Sequence, residues 1–227
     1  MARKKTYGQF CPVAKAAEVV AERWTPLVLR ELICGSTRFN DLKKGVPLMS
    51  PSLLSQRLKE LEYAGIVERR PAVSGRGSEY HLTEGGEQLA PLIEGLGHWG
   101  KRFLKPELEE GDLDPSLLMW DIQRRVDPTV LPEDTRTTVH FAITGVPSKY
   151  GRWWLVFEHG EADLCMKDPG FEVDLYVTAS VRVASEVWLG RRSIAQSVRS
   201  GDLKLDGAKA QIKAFPQWFM LSIFAPT

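Results

Sequence analysis

The stretch Ser50-Pro-Ser-Leu-Leu-Ser-Gln-Arg-Leu-Lys-Glu-Leu-Glu-Tyr-Ala-Gly65 constrains the fold most, because it carries its own start, its own stop and two unlike faces. Ser50 can accept a hydrogen bond from a free backbone N–H, Pro51 suits the first helical position, and Gly65 suits a left-handed C-terminal cap. One helix follows from this. At about 100° per residue, Leu54, Leu58 and Leu61 stack on one side, while Ser52, Ser55, Gln56, Lys59 and Tyr63 converge on the other. Hydroxyls and amides can read base edges and an ammonium can reach guanine or phosphate, which suits a helix in a DNA major groove. An ordinary solvated face has the same composition, so the neighbouring segments must decide.

Upstream, Pro12 opens a core-facing helix whose apolar residues Val13, Ala16, Ala17, Val20 and Trp24 recur at steps of three and four. Thr25 and Pro26 restart the chain as cap and first position of a second helix, which Gly35 stops. Asn40 can cap a further turn through Lys43, with Phe39 and Leu42 inward and Arg38 at the surface. This short helix, a tight Gly/Pro turn and the Ser50 helix have helix-turn-helix proportions. After Gly65 the period becomes alternating: Ile66 to Pro71 and Glu79 to Leu82 read as a hairpin. Its loop sets Arg76 between two glycines, either as a simple surface loop or as a tip that enters a minor groove. Helix followed by arginine-tipped hairpin makes a winged helix. Thr83 can then cap a helix bearing Leu89, Leu92, Ile93, Leu96, Trp99 and Phe103, a stripe that suits a two-fold dimer or an intrachain core.

Charge supports a division of labour. Residues 1–105 hold 17 Lys/Arg against 11 Asp/Glu, a net +6, and residues 106–227 hold 13 against 18, a net −5. Only the first half suits phosphate. The acidic run from Glu107 to Pro115 marks the change, so domains are expected at 1–106 and 112–227. No run of 18 apolar residues or signal core occurs, so a cytoplasmic protein without membrane contact is expected. Cys11, Cys34 and Cys165 are few and scattered, which supports neither disulfides nor a structural metal.

The first half resembles the HxlR family of bacterial winged-helix regulators, relatives of the MarR group. The likeness rests on Cys11-Pro, Arg23-Trp-Thr-Pro-Leu-Val-Leu29, Arg38-Phe-Asn-Asp-Leu42, Leu54-Ser-Gln-Arg-Leu-Lys-Glu-Leu61, Gly65-Ile-Val-Glu-Arg69, Glu79-Tyr-His-Leu-Thr83 and Leu96-Gly-His-Trp-Gly100. It implies a homodimer on a double-stranded DNA operator, with the Ser50 helix in the major groove and the Arg76 hairpin as wing. The candidate DNA-binding residues are Arg38, Ser50, Ser52, Ser55, Gln56, Arg57, Lys59 and Arg76. Some members of that family sense oxidants through a cysteine near the N-terminus, and Cys11 matches the position. Cys11 also precedes a helix start that can stabilise a thiolate, although small cysteines often just pack.

The second half predicts a helix at Pro115–Arg125, strands at Thr138–Ile143, Trp153–Glu158, Asp163–Met166, Glu172–Thr178 and Leu203–Leu205, and helices at Val181–Leu189 and Ser193–Ser200. Short turns favour an antiparallel meander, so the whole chain is expected to be α+β. Val187-Trp-Leu-Gly190 followed by Gly201-Asp-Leu-Lys-Leu-Asp-Gly207 and a helix is similar to sterol-carrier-protein domains. That resemblance implies an apolar tunnel between sheet and helices. Trp153, Trp154, Phe171, Trp188, Phe215, Trp218 and Phe219 are the candidate lining for a small hydrophobic effector, or else they fill the core.

His81, His98, His140 and His159 have no metal-ligand spacing, and no nucleophile elbow, phosphate loop or dinucleotide fingerprint occurs. No enzymatic activity, metal or cofactor is expected. The reading is a dimeric transcription regulator, by default a repressor, whose second half senses a small apolar molecule or braces the dimer. The alternatives are a lipid carrier, or a redox regulator acting through Cys11 with a purely structural second half.

Overall fold

The computed structural model describes residues 6–72, 75, 77–104 and 107–225. The chain divides into two compact units, Met1–Leu104 and Lys105–Thr227.

The first unit runs α1 (Pro12–Val20), α2 (Thr25–Ile33), α3 (Phe39–Gly45), α4 (Pro51–Tyr63), β1 (Val67–Pro71), β2 (Ser78–Leu82), α5 (Glu84–Glu87) and α6 (Ala90–Phe103). At the start of α4 the Ser50 hydroxyl accepts from the Leu53 amide at 3.2 Å. Leu54, Leu58 and Leu61 are buried against Val28, Leu29 and Leu32 of α2 and Leu42 of α3. Burial of each such leucine contributes about 1.5–3 kcal/mol, so the leucine stripe sets which side of α4 faces outward. β1 and β2 pair antiparallel from Val67 opposite Leu82 to Pro71 opposite Ser78.

Five local expectations change. No residue of α1 is buried, Val13 is 75% exposed, and only Val19 and Val20 reach the core, so α1 is not a core-facing helix within one chain. It stops at Val20 rather than running to Trp24, and Trp24 turns left-handed ahead of α2. Thr25 does not cap α2: it is already helical, and its hydroxyl is buried without a partner. Asn40 lies inside α3, which begins after Arg38. The helix expected after Thr83 is two, α5 and α6, parted at Gln88 and Leu89 ahead of Pro91.

The second unit opens with α7 (Pro115–Arg125). It continues through β3 (Thr137–Thr144), β4 (Arg152–Glu158), β5 (Glu161–Cys165), β6 (Leu175–Ser180), α8 (Val181–Trp188), α9 (Ile194–Ser200), β7 (Leu203–Gly207) and α10 (Lys209–Trp218). The sheet order is β5-β4-β3-β6-β7. The expected antiparallel meander is wrong in one place, since β6 lies parallel to β3, from Leu175 beside Val139 to Ser180 beside Thr144. Asp174 locks that pairing: its amide donates to the Thr138 carbonyl at 2.9 Å and its carboxylate accepts from the Thr138 amide at 2.8 Å. The segment 166–174 therefore carries the chain from the outer strand β5 to the far side of β3. Val139, Phe141 and Ile143, Trp153, Leu155 and Phe157, and Leu175, Val177 and Ala179 point to one side and share a core with residues of α7, α8 and α10. His140, Trp154 and Tyr176 belong to the alternate register and take the other side.

Candidate nucleic-acid interface

The angle between α3 and α4 is held by side chains that the apolar pattern does not reveal. Arg30 Nη2 donates to Glu31 Oε1 at 2.6 Å and to the Gly45 carbonyl at 3.0 Å. Glu31 is fully buried, and it fits only because residue 45 is glycine: a Cβ there would stand 1.8 Å from the carboxyl group. Lys43 Nζ donates to the Pro47 carbonyl at 2.7 Å, and the Met49 amide to the Val46 carbonyl at 3.0 Å. The turn between the helices is thus closed by hydrogen bonds from both ends, which presents α4 at a set tilt. The one available signal was Glu31 itself, a charge within the apolar stripe of α2.

Along α4 the expected polar row lies outward. Ser50, Ser52, Gln56 and Lys59 are exposed and Ser55 is half-buried. Ser50 is engaged as the helix cap, its Oγ 3.1 Å from Ser52 Oγ. Gln56 Nε2 donates to Glu60 Oε1 at 3.0 Å, a contact that must open before the amide can read a base. Arg57 is a correction. Its side chain is only 12% exposed, it pairs with Glu60 and, at 3.7 Å, with Glu22, and its Nε is buried without a partner. It lies about 60° from Leu54 around the helix, on the inward flank, so it braces the fold rather than facing a groove.

The hairpin is joined to the helices beneath it. The Tyr80 amide donates to the Thr37 carbonyl at 2.8 Å, and Arg38 forms a bridge opposite Glu79, with Arg38 Nε 3.5 Å from Glu79 Oε1. Arg38 is therefore an exposed cation beside the loop-proximal end of β2. Arg69 and Arg70 on β1 are also exposed, and Arg70 bonds Glu68; neither was singled out as a site residue. Arg76, the expected tip, lies outside the described residues.

The Leu54-to-Leu61 pattern, the bracketed turn and the paired hairpin make a winged helix. The family model described as HxlR-like helix-turn-helix matches residues 19–108. The Bacillus subtilis strain 168 protein named uncharacterized HTH-type transcriptional regulator YvaP is 37% identical over 101 residues, which are 43% of this chain and 93% of YvaP. The chain belongs to the HxlR-like helix-turn-helix family. This HxlR-like chain is also similar to the B. subtilis regulator YkvN, 34% identical over 110 residues, 46% of this chain and 89% of YkvN. A Methanothermobacter thermautotrophicus regulator is 33% identical over 107 residues, covering 46% of this chain and 81% of that protein. Among solved structures, the reduced form of YodB from B. subtilis is 31% identical and spans 44% of this chain and 100% of its own, with a TM-score of 0.38. Family membership makes the chain a DNA-binding transcriptional regulator of the HxlR type.

Cys11 sits immediately before α1, and the Ala14 and Val13 amides hold its thiol below the ordinary value against a small opposing effect of burial. Burial and then Asp163 push Cys165 the other way. A thiol with a lowered value is ionised at lower pH, so iodoacetamide is expected to label Cys11 at a pH where Cys165 is still protected. Peptide mapping across a pH series checks this; equal labelling of the two would contradict it.

The seven aromatics expected to line an effector tunnel do not converge. Trp153, Trp188, Phe215, Trp218 and Phe219 fill the core between sheet and helices, where a void beside Phe215 and Phe219 measures about 20 Å³. Ring centroids 5.0 Å apart for Phe157–Trp218 and Phe215–Trp218 describe a packed cluster. Trp154 is on the opposite face of the sheet, and Phe171 is on the crossover segment beneath Arg136, whose guanidinium carbon stands 3.8 Å from the ring centroid.

Proposed function

We propose that this regulator binds an operator as a two-fold dimer, with α4 in the major groove and the β1–β2 hairpin along the neighbouring backbone and minor groove. The observation that carries the reading is the outward row Ser52, Gln56 and Lys59 set beside a hairpin with exposed Arg69 and Arg70. Lys59 and Gln56 are assigned to base edges, Arg38, Arg69 and Arg70 to phosphates, and Arg76 to the minor groove. Occupancy of a promoter by such a dimer blocks transcription, so repression is the default. Lys59→Ala and Arg76→Ala are each expected to weaken operator binding by about 1–3 kcal/mol, while Arg57→Ala acts on stability instead. Mobility-shift titrations at several salt concentrations measure this, and an unchanged affinity for Lys59→Ala sinks its assignment.

The dimer is assigned to α6, on which Leu92, Leu96, Trp99 and Phe103 are all more than half exposed while only Ile93 is buried. An apolar stripe of that size on one helix is costly in water and self-complementary about a two-fold axis. Leu96→Asp with Trp99→Asp is expected to yield monomers in sedimentation velocity and to lose cooperative operator binding. A dimer that persists would place the contact elsewhere.

The C-terminal unit, with one layer of helices over a five-stranded sheet as in sterol-carrier proteins, is assigned as the effector-sensing part. A small, largely apolar ligand with unequal affinity for DNA-competent and DNA-incompetent dimers would change operator occupancy. A second reading, favoured by the lowered thiol at the start of α1, makes Cys11 an oxidant sensor. Cys11→Ser should then abolish any loss of operator binding on treatment with diamide, and an undiminished response removes this reading.

A further inference from the structure

On the face of the second unit's sheet opposite the helix-packed core, strand register places three rings in one row. Trp154, His140 and Tyr176 are direct cross-strand partners on β4, β3 and β6. The imidazole centroid is 4.8 Å from Trp154 and 5.6 Å from Tyr176. One row further along, Arg152 pairs with Ala142. Ala142 offers only a methyl group, so a hollow opens between the aromatic row and the β3–β4 turn, with Asp168 and Val173 of the crossover segment along its side. The cleft measures about 540 Å³, within the roughly 300–1,000 Å³ common to small-molecule sites.

One feature of its lining points to the class of ligand. Arg152 is exposed at the rim, and its guanidinium fork matches a carboxylate in two parallel hydrogen bonds. We propose that this cleft binds a planar aromatic monocarboxylate, its ring against Trp154, His140 and Tyr176 and its carboxylate on Arg152. Burial first, and the Arg152 charge second, hold the imidazole below its ordinary value, with Asp168 opposing them. At neutral pH the ring is therefore uncharged, and the anion is held by Arg152. Asp168, whose carboxylate accepts from the Gly170 amide at 2.8 Å, disfavours a second negative charge on the ligand. Aromatic surface supplies the apolar part of the affinity.

The inference deepens the effector-sensing part of the proposed function and rests on it, moving the ligand from the closed helix-covered core to the opposite face. Its test contains no DNA, so operator titrations without ligand report on the regulator reading separately. The full chain is titrated calorimetrically with 1-naphthoate and with the neutral 1-naphthalenemethanol. The acid is expected to bind saturably, one per chain, and about tenfold more tightly than the alcohol. Arg152→Gln, at an exposed position, should erase that preference, and Ala142→Leu, which fills the hollow, should weaken both ligands about tenfold. No saturable binding of the acid, or binding that neither substitution alters, overturns the proposal.

Discussion

Gly86→Ala is expected to destabilise the N-terminal unit by about 3 kcal/mol, whereas Gly85→Ala, one residue earlier, should be neutral or slightly stabilising. A Cβ on Gly86 would stand 2.2 Å from the Ile66 carbonyl oxygen and 3.1 Å from Leu82 Cδ2. That carbonyl cannot retreat cheaply, because it accepts from the Thr83 amide at 3.0 Å, while the Thr83 hydroxyl donates to the neighbouring Gly65 carbonyl at 2.7 Å. Thr83 in turn caps α5 by accepting from the Gly86 amide at 3.2 Å. A methyl group at residue 86 would thus push the helix off the base of the hairpin and break the cap together. At Gly85 the nearest atom to a Cβ is Thr83 Oγ1 at 3.8 Å, an ordinary contact, so the helix propensity of alanine acts there without opposition. Urea denaturation, with hydrogen exchange assigning the loss to residues 6–104, separates the two variants. Equal effects would mean that α5 does not pack closely on the Ile66 carbonyl.

Trp218→Ala is expected to cost the C-terminal unit about 3–5 kcal/mol, and Trp218→Phe only about 1 kcal/mol. Trp218 is fully buried and touches Phe157, Phe215 and Phe219, so truncation leaves a large hole under the sheet. Its indole Nε1 is buried without a hydrogen-bond partner. Phenylalanine keeps most of the aromatic packing and removes that unsatisfied donor, which offsets part of the lost volume. The denaturation midpoint of the second unit reads both effects. A Trp218→Phe cost as large as that of alanine would mean that the indole N–H has a partner. The pair of variants also distinguishes packing from ligand binding, since neither should affect naphthoate affinity at the opposite face of the sheet.

The parts legible in the chain were those governed by neighbours within a few residues. Ser50, Pro51 and Gly65 announced the ends of α4, and its leucine period announced the inward side, because capping and helical phase are local properties. The same period placed Arg57 near that side, yet its charge drew it into the candidate interface; only the packed fold gives it Glu22 and Glu60 as partners. Glu31 was hidden for a related reason. A buried carboxylate is tolerable only with Arg30 beside it and a glycine at residue 45 making room, and residue 45 is distant in the chain.

In the second unit, a period of two puts Trp153 and Trp154 on opposite faces of β4. The tunnel reading overrode that parity by counting aromatics without asking which way each one points. Strand order was beyond reach altogether. A period of two records which face a residue takes, but the same pattern serves a parallel or an antiparallel neighbour.

By itself, the sequence determined the ends and the inward face of α4, the alternation that assigns strand residues to faces, and the winged-helix class of the first half. Tertiary structure alone decided that β6 runs beside β3, that the helix-covered core is closed, and that His140, Trp154 and Arg152 share an open cleft. The physical reason is range: capping and periodicity act over a few residues along the chain, whereas pairing partners and cavity shape depend on which distant segments exclude water together.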